Sequence, residues 1–183
     1  MKERGNPILR DITLDSQVEQ PTRRTPNIQL QDMDNDGLVD ILATSGNKFV
    51  YRNKGIHGGV PRFEKPTGSG ISEGNGYWAF GPLGDFDRDG RLDFFSPEWL
   101  TAAPSVLLKN ETHETNNFLA IKLELKEGPN RNGVDARLDI YNKGKLGNEK
   151  ERIASRIITV SNGYASGYEA IAYFGLPEQK TVD

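Results

Sequence analysis

Two nine-residue runs, Asp32-Met33-Asp34-Asn35-Asp36-Gly37-Leu38-Val39-Asp40 and Asp85-Phe86-Asp87-Arg88-Asp89-Gly90-Arg91-Leu92-Asp93, share the pattern D-x-D-x-D-G-x-x-D and lie 53 residues apart. Each crowds four carboxylates into one short loop. Two like charges at 4 Å cost roughly 4 kcal/mol at an effective dielectric near 20, so such a loop is strained unless a cation sits in it. One acidic turn alone would read as an ordinary solvated Asp/Gly turn. Two copies with equal internal spacing point instead to a ligand-binding loop used twice, and hence to a local fold used twice.

Ca2+ takes about 6–8 oxygen ligands at roughly 2.3–2.6 Å. In the first run Asp32, Asp34 and Asp36 fill positions one, three and five. Gly37 at position six permits the sharp turn, which turns the Leu38 carbonyl toward the ion. Asp40 closes the site. The second run repeats this with Asp85, Asp87, Asp89, the Arg91 carbonyl and Asp93, turning at Gly90. Two calcium sites are therefore predicted, with metal binding coupled to folding. Arg88 and Arg91 place positive charge beside the second site, which predicts weaker binding there.

Neither run opens an EF-hand, which needs a bidentate Glu at position twelve and flanking helices. Position twelve is Ala43 in one run and Ser96 in the other. The flanks are short β-rich runs bounded by Gly, Pro, Asn and Ser: Ile41-Leu42-Ala43, Phe49-Val50-Tyr51, Leu92-Asp93-Phe94-Phe95 and Val106-Leu107-Leu108. They predict strands, with the ions in the loops between them. A similar cadence follows each loop, Tyr51-Arg52-Asn53 and Leu108-Lys109-Asn110. Repetition at this period predicts propeller blades or arrays.

The fold class expected is all-β: partial β-propeller-type blades with calcium loops, followed by a small antiparallel β-sandwich-like domain. Residues 1–26 form an extension or the end of a preceding blade, with a short strand over Ile8–Leu14. Residues 27–115 hold the two repeats, the first over about 27–71 and the second over about 76–110. From 116 to 183 the pattern changes. Phe118, Ala120 or Ile121, Leu123 and Leu125 alternate with Lys122, Glu124 and Lys126, an amphipathic strand. Ala136–Tyr141 and Arg156–Val160 predict a hairpin across a charged loop. Ala170–Phe174 predicts another strand, stopped by Gly175-Leu176-Pro177. One further strand is expected after Asp183.

Composition removes several classes. The net charge is -3, and the two loops hold eight aspartates, so the acidity is concentrated there. No clustered Lys/Arg footprint for nucleic acid is present. The absence of cysteine excludes disulfide and thiol chemistry. No run approaches the ~18 apolar residues of a membrane span, and Met1-Lys2-Glu3-Arg4-Gly5-Asn6 leads into no apolar leader segment.

Phe80-Gly81-Pro82 and Gly84-Asp85, together with the loops, resemble FG-GAP/VCBS repeats, the calcium-loop blades of integrin-type β-propellers. Asn116-Asn117-Phe118-Leu119, Asn130-Arg131-Asn132-Gly133-Val134-Asp135-Ala136-Arg137, Ser161-Asn162-Gly163-Tyr164-Ala165-Ser166 and Phe174-Gly175-Leu176 resemble the ASPIC/UnbV domain, found after such repeats in the cartilage-acidic-protein family. The resemblance implies an extracellular, cell-surface or periplasmic interaction module without established catalysis. Two departures stand out. Asp135 takes the place of the family's usual Gly, and the family's closing Trp-Pro strand is absent after Asp183. A closed propeller typically has 4–8 blades, so two repeats imply the C-terminal piece of a longer protein.

Other constellations are weaker. His57 and His113 lie in loop-like segments and read as exposed. Gly70-Ile71-Ser72-Glu73-Gly74 matches G-x-S-x-G, but a nucleophile elbow needs a strand before and a helix after. Gly68-Ser69-Gly70 and Gly74-Asn75-Gly76 lack the helix and Lys of a phosphate cradle. Trp78, Trp99, Tyr77, Phe80 and Phe95 read as core rather than as a sugar platform. Asn110-Glu111-Thr112 is a formal glycosylation sequon. The favoured function is a non-enzymatic calcium-binding module for adhesion, ligand binding or scaffolding, with a protein or carbohydrate partner and self-association through sheet edges as a further possibility. The alternatives are a glycan-binding part of a larger polysaccharide-active enzyme, with Glu73, Glu98 or Glu169 as available acids, and a purely structural calcium-stabilised fragment.

Overall fold

The computed structural model describes residues 9–18, 27–44, 48–64, 81–97, 104–113, 116–161, 166–177 and 181–183. The Tyr77–Phe80 aromatics, Trp99, Ser72, Glu73 and Glu98 lie outside them. Four strands build the first blade: β1 (Asn27–Gln31), β2 (Asp40–Thr44), β3 (Lys48–His57) and β4 (Val60–Glu64). They pair in chain order, every neighbour antiparallel, the up-and-down meander of a propeller blade. The second blade shows three strands, β5 (Leu83–Gly84), β6 (Asp93–Ser96) and β7 (Val106–Leu108), also antiparallel and in order. The acidic runs link β1 to β2 and β5 to β6, so Asp40 and Asp93 open equivalent strands.

The blades meet over a shared core of Met33, Leu42, Leu83, Leu92 and Phe94, with Val50, Leu108, Tyr168 and Tyr173 against it. Burying one such side chain stabilises by about 1.5–3 kcal/mol, so this cluster sets how the blades meet. β1 inverts the simple hydrophobic pattern. Gln29 is its buried residue, while Ile28 and Leu30 are exposed. The Gln29 amide donates to the Gly81 carbonyl at 3.4 Å and accepts from the Tyr168 hydroxyl at 3.4 Å. A buried backbone carbonyl at this seam needs a donor, which Ile or Leu cannot supply.

Four more strands follow: β8 (Asn117–Lys122), β9 (Arg137–Tyr141), β10 (Arg152–Ile157) and β11 (Ile171–Leu176). They form two antiparallel pairs, β8 with β11 and β9 with β10. Together these enclose a second core of Ile140, Ile158, Ala172, Phe174 and Leu176, a small sandwich-like arrangement. Leu119, Ile121 and Leu123 turn toward it, whereas Phe118 and Leu125, expected on that face, are exposed.

Boundaries differ from the sequence expectation in three places. β10 starts at Arg152 rather than Arg156, because residues 142–151 close on themselves (Lys145 N–H to Asn142 O, 2.9 Å; Asn142 N–H to Glu151 O, 3.0 Å) and deliver the chain early to the ladder. β11 runs on through Gly175 and Leu176, since Gly175 pairs with Phe118, and Pro177, which has no N–H to give, follows its last residue. The strand expected over Ile8–Leu14 is replaced by one helical turn, α1 (Thr13–Ser16). Asp11, one residue before its N-cap Ile12, accepts from the Thr13 N–H at 2.9 Å. Asp135 keeps a glycine-type turn, with φ of 68°. The last residues already pair, Val182 bridging to Asn142 beside β9.

Candidate metal centre

The two acidic loops share one hydrogen-bond skeleton. In the first, Asp32 accepts from the N–H groups of Asp36 (3.2 Å) and Gly37 (3.0 Å), Asp34 from Asp36 (3.4 Å), and Asp36 from Leu38 (2.8 Å). Asp40 brackets the loop, one oxygen accepting from Met33 N–H (2.9 Å) and the other from Asn53 N–H (2.7 Å). In the second, Asp85 accepts from Asp89 (3.0 Å) and Gly90 (2.9 Å), Asp87 from Asp89 (3.3 Å), and Asp89 from Arg91 (3.0 Å). Asp93 brackets it from Phe86 (3.2 Å) to Asn110 (2.7 Å). The backbone matches too. Position four is left-handed in both, Asn35 at φ 57° and Arg88 at 63°, and position six likewise, Gly37 at 86° and Gly90 at 87°.

Asn53, within β3, and Asn110, two residues past β7, complete the skeleton from each blade's third strand. Asn53 donates to Val39 O at 2.9 Å and accepts from Gly55 N–H at 2.9 Å. Asn110 donates to Leu92 O at 3.2 Å and Met33 O at 2.8 Å, and accepts from Thr112 N–H at 3.1 Å. These residues lie outside the nine-residue pattern, and the repeated cadence ending in Asn was their only sequence signal. The sequon is accounted for as well, because both ends of the Asn110 amide are engaged inside the fold.

Carboxylate oxygens of Asp32, Asp34 and Asp40 all lie within 4.8 Å of one another, and so do those of Asp85, Asp87 and Asp89. Asp36 and Asp93 fall outside these groups, and Leu38 and Arg91 follow the left-handed glycines. An all-oxygen donor set of this kind fits a hard cation. The electrostatics agree in the first loop. Burial raises Asp40 to about 7 and Asp32 to about 6, with neighbouring carboxylates adding to the shift. A carboxylate that resists ionising this strongly is one that a cation would stabilise.

Each loop already carries cations from its own chain. The Arg52 guanidinium holds Asp34, with Nε at 2.7 Å. In the second loop Lys109 pairs with Asp87 and lies 3.7 Å from Asp89, which Arg91 also holds. Lys109 keeps the Asp87 carboxyl below the usual range.

Residues 32–96 match the FG-GAP-like repeat. An FG-GAP-like repeat therefore spans both acidic loops. The match begins at the first aspartate of the first loop and ends on the last residue of β6. No curated protein matches the chain. His57 closes β3 and, like His113, is exposed. Glu169 is exposed at the rim of a small cavity that Arg156, Tyr168 and Tyr173 also line.

Proposed function

We propose that this chain is a calcium-binding, non-enzymatic module of the extracellular kind, in which two FG-GAP-like blades and an ASPIC/UnbV-like C-terminal part hold a surface for a protein or carbohydrate partner. The observation behind this reading is the twin loop skeleton, in which two separate stretches of chain gather carboxylates with the same bonds and the same backbone turns. Asp32, Asp34, Asp36 and Asp40 with the Leu38 carbonyl would hold one ion. Asp85, Asp87, Asp89 and Asp93 with the Arg91 carbonyl would hold the other. Bound calcium supplies the charge that cancels the repulsion within each loop. The chain's own residues do the rest. The aspartates accept backbone N–H groups that shape the turn, Asn53 and Asn110 anchor the turn to the third strand, and Arg52 and Lys109 neutralise position three. Extracellular calcium modules bind at about 10⁻⁴–10⁻³ M, which suits loops balanced between an internal cation and an external one. Among the described residues no helix is long and apolar enough to cross a membrane.

One observation favours a second reading, in which calcium only holds the fold. Gly175 and Phe118 of the C-terminal strands lie against the loops, so the loops face the protein as well as solvent. Thermal melting in roughly 2 mM calcium against excess EGTA tests the calcium reading that both share. A rise in Tm that disappears in Asp34→Ala/Asp87→Ala supports it. No shift with either calcium or magnesium overturns it.

A further inference from the structure

We propose that the β8–β11 pair is a clamp whose closure on both acidic loops is coupled to their calcium occupancy, an inference that rests on the calcium reading above. Its basis is a single rung of one sheet. Gly175 of β11 and Phe118 of β8 are cross-strand partners, and each lies on a different loop. A Cβ on Gly175 would fall 2.1 Å from Asp32 Oδ2 and 2.5 Å from the Asn35 carbonyl carbon. A Cβ on Gly90 would fall 1.9 Å from the Phe118 ring. Asn116, one residue before β8, donates to the Asp34 carbonyl at 2.9 Å. The loops are also tied to each other, Asn35 donating to the Gly90 carbonyl at 2.9 Å.

Gly175 is not required by its backbone, which is ordinary strand. It is required by proximity, because the strand rests directly on the back of a candidate ligand carboxylate. The atom nearest its missing side chain is the Asp32 oxygen itself. Without a cation, repulsion among the aspartates would push Asp32, which the Asp36 and Gly37 N–H groups hold, toward the strand. A bound ion would relieve that push. Calcium should therefore favour docking, and by linkage docking should favour calcium to the same degree.

Amide hydrogen exchange on the full chain, in calcium and in EGTA, reads the coupling without any variant. The expected result is that calcium slows exchange in residues 32–40 and 85–93 and also in 117–122 and 171–176. In the strands the slowing should reach about 5–150-fold, the usual range of site-to-site coupling, and should exceed that in 137–141 and 152–157. Protection of the loops alone, or equal protection of both strand pairs, would overturn the clamp while leaving the calcium reading intact. No calcium effect anywhere would overturn both. As a second arm, calcium titration of Phe118→Ala and of Gly175→Ala should each weaken both loops, about fivefold at the loop the residue touches and measurably at the other. An effect confined to the touched loop would count against the clamp.

Discussion

The two acidic loops share a pattern, a set of hydrogen bonds and a backbone conformation, yet they sit in different surroundings. In the first, Asp32, Asp34 and Asp40 are buried, at 7%, 3% and 0% exposure. In the second, Asp87 is exposed and Asp85 and Asp89 are half-buried, and only the closing Asp93 is buried, at 3%. Position two shows why. Met33 tucks into the core between the blades, whereas Phe86 stands 49% exposed. One loop is enclosed by the second blade and the C-terminal strands, and the other lies at the rim. The charges differ in the same sense, with Arg52 paired to the first loop and Lys109 and Arg91 both paired to the second. A motif specifies the shape of a loop, and its neighbours specify how far its carboxylates are buried and which cations of the chain meet them.

The largest test of this contrast is removal of the bracketing aspartates. Asp40→Ala strands the Met33 and Asn53 N–H groups in the interior. At about 1–3 kcal/mol for each unsatisfied donor, the expected loss is about 4 kcal/mol by urea denaturation in EGTA. Asp93→Ala should cost less, because its bond from the Phe86 N–H is part-buried where the Met33 bond to Asp40 is buried. Equal losses would mean that the burial difference has no energetic weight.

A pH series comes next. Asp32 and Asp40 titrate near 6 and 7 in the folded, metal-free chain, against about 3.9 when unfolded. Between these values the folded state holds more protons, so its stability falls as pH rises. In EGTA the first loop should lose several kcal/mol between pH 4 and pH 7.5, with the extra stabilisation complete below pH 4. The Asp32→Asn/Asp40→Asn variant should flatten the curve, and saturating calcium should remove it. The second loop contributes less, since Asp93 is raised but Asp87 is lowered. A decline unchanged in the Asn variant would place its origin elsewhere.

Calorimetry on single-loop knockouts sharpens the comparison further. Asp87→Ala leaves the first loop to be titrated and Asp34→Ala the second, and the first should bind calcium about tenfold more tightly, or 1.4 kcal/mol. Lys109→Gln should narrow that gap by freeing Asp87. A tighter second site would show that solvent access outweighs the electrostatic demand of the buried loop.

How far the sequence could be read follows from the same physics. Local rules governed the loops. Asp at alternate positions and Gly at position six require the turn wherever the chain goes, and the strands on either side followed from β-rich runs between breakers. Residues whose role depends on a distant partner were not legible. Gln29 looks like the solvent face of β1 until Gly81 and Tyr168 arrive from far along the chain. Phe118 looks like core until Gly90 leaves a bare backbone for its ring. Arg152 looks like loop until residues 142–151 close and bring it into register with Tyr141. In each case apolar periodicity was present, but which face became interior was decided by an element the periodicity cannot see.

The smallest effect tests whether the loops are interchangeable at all. Position four is left-handed in both, a conformation that costs a residue with a Cβ roughly 1–2 kcal/mol and that Asn tolerates better than most. The first loop places Asn35 there and uses its amide to reach Gly90, while the second places Arg88 there. Arg88→Asn removes part of the backbone cost and one positive charge beside the site without touching the skeleton. The expected gain is about 0.5–1 kcal/mol in EGTA, a Tm rise of about 2 °C for a chain of this size, with a further small rise in calcium affinity. If Tm rises without any change in affinity, the weakness of the second loop comes from Lys109 and Arg91, and Arg88 matters only as strained backbone. If affinity rises without Tm, the charge term dominates and the φ of 63° is held at little cost.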